Sequence, residues 1–294
     1  MPNAKLLLRP LLLFIRRLLG IEQIQQQLLE QNQLHQRTLL TLGNTLKYSS
    51  LDSKSRDATA TYRRCSEIVS LLSPMDVAGG EYTRVGRDYD GGYVMLDDFQ
   101  GKEIDAAYSF GIRDDVSWDA SIAKLGIDVF MYDHKINRLP KHHPKFHYFK
   151  TGLTGHKKGA NLKTLGQLLV ENGHSKCQNL LMKMDIEGCE WDVLEETTTE
   201  AISQFSQIVI ELHGLSKAVF TQDHLSVVKV LQKINQTHQC IHVHANGSSL
   251  PLWIGDHVLP DLLEVTYIRR TDVKGKLMMN TRQFPTELDQ PTFE

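Results

Sequence analysis

The chain has 294 residues, enough for one large α/β domain with an appendage, and its 41% hydrophobic and 23% charged content supports a normal buried core. The formal net charge is −2, from 33 basic and 35 acidic residues, so charge gives no case for nucleic acid as a partner. The four cysteines, Cys65, Cys177, Cys189 and Cys240, form no CxxC pair, which argues against a disulfide framework or a zinc site and fits a reducing cytoplasm.

Residues 1–20 are apolar and basic, with Lys5, Arg9, Arg16 and Arg17 among leucines. The longest uncharged run there, Pro10 to Ile15, is far short of the roughly 20 apolar residues of a spanning helix. The run is also too short for a signal peptide, and no small-residue cleavage site follows it. Two readings remain: an interfacial helix with arginines at lipid headgroups, or a helix packed on a partner chain. In residues 21–50, Ile21, Ile24 and Leu28, then Leu39, Leu42 and Leu46, recur at coiled-coil spacing, which predicts a homo-oligomer joined through this stretch. Residues 51–61 are rich in Ser, Asp, Lys and Thr and read as a linker.

The globular part is expected over 62–270. A helix is predicted over about 62–73, ending at Pro74. The run Asp90, Gly91, Gly92 before Tyr93 and Val94 predicts a β-hairpin, with Arg84, Arg87 and Tyr93 available to cap the cofactor side. Strands are then predicted at 106–110, 128–132, 146–149, 180–184, 207–212, 240–244 and 263–269. Helices are predicted over 115–125, 162–172, from about 189, and over 223–236. This alternation implies a mostly parallel seven-stranded sheet with helices on both faces, preceded by an N-terminal helical extension. Residues 271–294 are polar and Pro-containing and read as a loose tail.

In such a sheet, ligands bind beyond the carboxyl ends of the strands. After the first sheet strand, Phe110, Gly111 and Ile112 lead into a helix, so the backbone can approach a ligand closely. The fingerprint GxGxxG is absent, which counts against NAD or FAD. Asp133 lies 22 residues beyond Gly111, at a spacing that suits a ribose diol, and His134 follows it. Asp185 and Glu187 end one strand; Glu211 and His213 end the next. Each pair is spaced i and i+2, hence on one strand face if the extended form persists, so all four could converge as a carboxylate–histidine cluster for general-base work. The competing reading is four solvated residues on strand-end loops. His242 and His244 alternate likewise and admit a metal reading, but substrate contact by His244 is preferred.

The segment from Lys183 through Asp185, Glu187, Gly188 and Glu190 to Trp191 resembles the Asp-x-Glu-Gly-x-Glu motif of FkbM-type methyltransferases. The segment from Tyr108 through Gly111 and Asp115 to Asp119 is similar to that family too. So are Tyr132 to His134, Ile210 to His213, and Asp90 to Val94. The resemblance covers roughly residues 80–270. It implies a class I, Rossmann-like methyltransferase fold with S-adenosylmethionine (SAM) as cofactor. It also implies transfer of a methyl group to a hydroxyl of a sugar or small metabolite. Phe110, Gly111, Ile112, Asp133, His134 and Asp185 are then the expected cofactor contacts. Asp185, Glu187, Glu211 and His213 are the expected catalytic group, and Tyr93 and His244 the expected acceptor contacts. A divalent metal at Asp185 and its neighbours is the competing way to activate the hydroxyl. The expected acceptor is a sugar, a glycan or a lipid-linked saccharide, and the expected location is cytoplasmic, peripheral to the inner face of the plasma membrane. Two alternatives stand beside this reading: a lipid or protein acceptor, and a non-catalytic scaffold.

Overall fold

The structure is a computed structural model that describes residues 58–99, 101–157, 159–249 and 251–292. The basic segment 1–20, the coiled-coil expectation over 21–50 and most of the linker lie outside these residues. The elements in chain order are α1 (Ala58–Leu71), β1 (Met75–Val77), β2 (Tyr82–Val85), β3 (Tyr93–Leu96), β4 (Ala106–Phe110), α2 (Ser117–Lys124), β5 (Val129–Tyr132) and β6 (Phe146–Phe149). Next come β7 (Gly152–Leu153), β8 (Leu162–Lys163), α3 (Leu165–Glu171), β9 (Leu180–Met184), α4 (Glu190–Glu196), α5 (Thr199–Ser203), β10 (Phe205–His213), α6 (Leu215–Phe220) and α7 (His224–Thr237). The chain closes through β11 (His238–Ala245), β12 (Pro251–Ile254), β13 (His257–Pro260), β14 (Leu262–Arg269) and β15 (Leu277–Met279).

The central sheet has seven strands in the order β11-β14-β10-β9-β4-β5-β6. Pairings from β10 through β6 are all parallel, and β14 runs antiparallel to both β10 and β11. Six strands therefore share one direction, and their carboxyl ends meet at one edge. Residue alternation splits the sheet between two cores. Met182, Met184, Ile208, Ile210 and Leu212 join the helical face with Ile68, Leu165, Leu168, Val230 and Leu231. Leu181 and Val209 join the opposite face with Trp118, Ile122, Tyr93 and Met95. Fully burying each such side chain contributes about 1.5–3 kcal/mol.

That second face departs from the expectation of helices alone. Over β10 and β14 it is covered by the β2–β3 hairpin. Gln207 Nε2 donates to the Leu96 carbonyl (2.8 Å) and to Asp98 Oδ1 (2.6 Å), its Oε1 accepts from Leu96 N (3.0 Å), and Thr266 Oγ1 donates to the Val94 carbonyl (2.6 Å). The hairpin itself was expected, but its strands are joined by the longer loop 86–92, with Gly86 and Gly91 at positive φ, instead of a tight Asp-Gly-Gly turn.

Three further boundaries are corrected. Residues 58–61, read as linker, are the first turn of α1. Leu162 and Lys163 form β8, not helix, because Thr164 starts α3 with a capping box to Gln167. The tail is tied down: β15 pairs with β1, Arg282 Nε donates to Asp76 Oδ1 (2.7 Å), and Thr292 Oγ1 accepts from Gly247 N (2.6 Å). None of the described helices is long and apolar enough to cross a membrane.

Candidate active site

The carboxyl ends of β5, β4 and β9 are bound together by backbone. Gly111 N donates to the Tyr132 carbonyl and Asp185 N to the Phe110 carbonyl, each at 3.1 Å. Gly111 has φ +78°, and a Cβ there would lie 1.6 Å from the Asp185 carbonyl oxygen. Only glycine permits this approach. The buried Lys183 donates from Nζ to the Gly111 carbonyl (2.9 Å), locking the two loops.

Asp133 sits under the same loop. Its Oδ2 accepts from Ile112 N (3.0 Å) and Arg113 N (2.9 Å), and its Oδ1 from Lys135 N (2.7 Å). Burial alone would raise its carboxyl, but the backbone donors of Arg113, Lys135 and Ile112 hold it below its ordinary value. It is therefore an ionised group held in place by the backbone amides of its own loop and of the Gly111 loop. His134 lies against Gly152. Together with Gly111, Asp133, Asp185 and Glu187, these residues line a cleft of about 50 Å³. Phe110 and Ile112 contribute backbone only: the Phe110 ring stacks with Tyr108 and Tyr132 in one core, and the Ile112 side chain is buried in the other.

Glu187 corrects the alternation argument. Strand β9 ends at Met184, and Glu187 adopts φ +60°, so it does not share a face with Asp185. Its carboxylate turns to the cleft mouth, where Oε1 meets Arg113 Nη1 at 2.9 Å, while its Oε2 stays 3.8 Å from His213 Nε2, so Glu187 still borders the expected group. Arg113 is also left-handed, at φ +49°. Two strained loops thus meet in an exposed ion pair beside the cleft.

The other three expected catalytic residues do come together. Asp185, Glu211 and His213 each place a ligand-type atom within 4.8 Å of the others. Parity explains it: the alternation that sets Leu181 and Val209 on the hairpin face also sets Lys183 and Glu211 there. Glu211 is raised to about 10, first by burial and then by the Asp185 charge and a hydrogen bond shared with Asp185. Its Oε1 accepts from Asn246 Nδ2 (2.6 Å). Asp185 Oδ1 is buried without a hydrogen-bond partner. Burial would lower His213, but Glu190, by hydrogen bond and by charge, then Asp185 and Glu187, raise it above its ordinary 6.5.

Several contributors have no role in the site expected from the sequence. Glu190 is fully buried; its Oε1 accepts from Ile186 N (2.9 Å) and Gly188 N (3.3 Å) and stands 3.1 Å from His213 Nδ1. Its signal was present as the third acid of the motif. Trp191 Nε1 donates to the His213 carbonyl (2.7 Å). Glu264 stands opposite Glu211 in the β10–β14 register and is buried, signalled by a charge inside an apolar strand. Asn246 and Asp289 carry no local signal.

Tyr93 is buried beside Asp185, Glu211, Glu264 and Asp90, and burial followed by these acids raises its phenol well above its usual value. The hairpin strands therefore cover the acidic crevice, while the loop between them packs on the segment after Gly111, with Arg87 Nε 3.7 Å from Asp115 Oδ2 and Arg87 N donating to Ser117 Oγ (3.0 Å). His244 reaches Asp289 (Nδ1 to Oδ1, 3.4 Å), which also binds His242 Nε2 at 2.8 Å. The two histidines hold the C-terminal segment, which accounts for them without a metal. His244 also lines an apolar cavity of about 540 Å³ at the β11 edge, with Leu72, Val243, Leu259, Leu263 and Phe284.

No curated protein matches this chain. A family match covers Asp133, Asp185, Glu187, Glu211 and His213, and it leaves Tyr93, Gly111 and His244 outside. It is narrower than the expected 80–270: residues 118–240 match the model of the methyltransferase FkbM domain.

Proposed function

We propose that the chain is a SAM-dependent O-methyltransferase acting on a hydroxyl of a sugar or glycan. The observation that carries this reading is the abutment of two half-sites. The Gly111 loop and Asp133 line one cleft, and Asp185, Glu211 and His213 gather directly beside it. The strand order, with one reversed strand next to the β11 edge, supports the class I methyltransferase assignment. The ionised Asp133 carboxylate at the cleft suits a ribose hydroxyl, and the crowded glycine loop suits close backbone contact. Bound SAM supplies an activated methyl group for in-line displacement.

The chain's part is to position the acceptor and take its proton. His213 is the proton acceptor, Glu190 and Trp191 fix its ring and backbone, and Asp185 faces the hydroxyl. A base must be neutral to act, and His213 is raised above 6.5. The rate should therefore climb as pH rises through that raised value. His213→Ala should lose about 10²–10⁴ in turnover while SAM still binds. Calorimetry with SAM and a radiolabel assay over sugar, lipid and protein acceptors check both statements. Full activity in the variant sinks the base assignment. Wild type that fails to bind SAM favours a non-catalytic scaffold, and a labelled lipid or protein product replaces the sugar acceptor.

The basic apolar segment 1–20 supports a cytoplasmic enzyme peripheral to the inner membrane, close to a lipid-linked saccharide, with residues 21–50 joining copies. Deleting residues 1–20 should move the protein to the soluble fraction on cell fractionation. Unchanged sedimentation with membranes would refute the anchor.

A further inference from the structure

Three carboxylates converge beneath the β2–β3 hairpin, one from its loop and two from neighbouring strands. Asp90, Glu211 and Glu264 each offer an oxygen, and these oxygens lie within 4.8 Å of one another. Glu211 and Glu264 are register partners on β10 and β14, so their side chains share one sheet face by construction. Like charges directly opposite are destabilising there unless something neutralises them.

Among the described residues Arg84 is the nearby base, and its charge favours ionised Glu264, but its donors go to backbone and not to the three carboxylates: Nε to the Arg87 carbonyl (3.0 Å), Nη2 to that of Tyr89 (2.5 Å) and Nη1 to that of Leu288 (3.4 Å). Lys183 Nζ is held by the Gly111 carbonyl. A further observation beyond the acidic cluster points to a missing ligand. Glu264 is only 9% exposed, and no hydrogen bond or ion pair reaches its carboxylate among the described residues. The Tyr93 phenol, on a residue 4% exposed, stands among the same acids. A carboxylate buried to this degree is seldom left without a partner in folded proteins.

We infer that Asp90, Glu211 and Glu264 form a binding site for one hard divalent cation, Mg²⁺ or Mn²⁺. The donors are all oxygen, which selects such ions over zinc or copper. Their mutual spacing matches oxygens placed about 2.0–2.6 Å from a common centre. Asp90 and Glu264 both lie outside residues 118–240, so two of the three ligands come from parts of this chain that the family match does not span. Glu211 is shared with Asp185 and His213, which sets the ion at the rim of the acceptor crevice. Its use in polarising an acceptor hydroxyl rests on the methyl-transfer reading; the binding itself does not.

The test is direct titration of the chelator-stripped full chain with Mn²⁺ at neutral pH, read by calorimetry and by loss of the free Mn²⁺ paramagnetic signal. Wild type should bind one ion per chain. Glu264→Gln and Asp90→Asn should each weaken binding by roughly tenfold or more, and Glu171→Gln, an exposed acid paired with Lys163, should leave it unchanged. Thermal unfolding with chelator present guards against misfolding: Glu264→Gln should melt at or above wild type, because it removes a buried carboxyl whose ionisation opposes folding. Added Mn²⁺ should raise the wild-type midpoint alone. Asp90 is exposed on a loop, so its variant decides the outcome if Glu264→Gln fails to fold. Absence of Mn²⁺ binding, or equal affinity in wild type and the variants, overturns the site. Parallel SAM calorimetry separates the two proposals. Mn²⁺ binding without SAM binding removes only the methyl-transfer reading, and SAM binding without Mn²⁺ binding removes only the cation site.

Discussion

Gly111 joins stability and chemistry at one atom. A methyl group added there meets a backbone carbonyl, which cannot swing aside as a flexible side chain would. The left-handed backbone adds about 1–2 kcal/mol for any L side chain, and forcing the β4 and β9 loops apart adds about 1–3 kcal/mol more. Gly111→Ala should therefore cost about 3 kcal/mol and open the junction between the Asp133 cleft and Asp185. Gly126 gives the internal comparison: it has φ +86°, but a Cβ added there would meet nothing within 4 Å. Gly126→Ala should cost only the backbone share, about 1–2 kcal/mol. Urea unfolding of both variants measures the difference. Equal losses would show that the contact with Asp185 is not what demands glycine.

At the level of elements, local pattern and tertiary placement separate cleanly. Strands β4, β6 and β9 were legible to the residue because each is a short stretch dominated by apolar and aromatic side chains. The pairing of Asp185 with Glu211 was legible too, since parallel neighbours put their carboxyl ends side by side. Glu187 was misplaced because the two-residue period holds only while the chain stays extended, and β9 stops at Met184. The reversal of β14 left no local trace. Its residues read as an ordinary strand, and direction is set by the connection through the β12–β13 hairpin. The tail read as loose because its contacts are each made with distant partners. Asp289 meets His242 and His244, and Arg282 meets Asp76. Single polar residues at such separations have no periodicity to reveal them. Asp90 and Glu264 escaped for the same reason, although Glu264 interrupts the apolar strand Leu262–Arg269.

For the whole molecule, the acidic crevice predicts how folding stability responds to pH. Glu211 is raised to about 10 from an ordinary 4.5, and Glu264 to about 8, chiefly by burial and by neighbouring acids. Between the ordinary and the folded values, the native chain holds protons that the unfolded chain has released. Stability therefore falls as pH rises, beginning near 4.5 and continuing to about 8 for Glu264 and about 10 for Glu211. His213 acts in the same direction: its raised value contributes stability that is complete below 6.5 and lost above. Asp133 and Asp289 have lowered values, so they contribute the opposite slope, but only at acid pH below the ordinary 3.8 and down through their folded values. In chelator, where no cation can compensate the carboxylates, urea unfolding should give a stability that declines steadily from mildly acidic to alkaline pH. Glu211→Gln preserves shape and removes the titrating group, so it should flatten that decline and raise stability at the alkaline end. A wild-type curve that is level across this range would mean that the crevice keeps its carboxylates solvated, and the assignment of Glu211 and Glu264 as proton-sharing or cation-binding groups would fall with it.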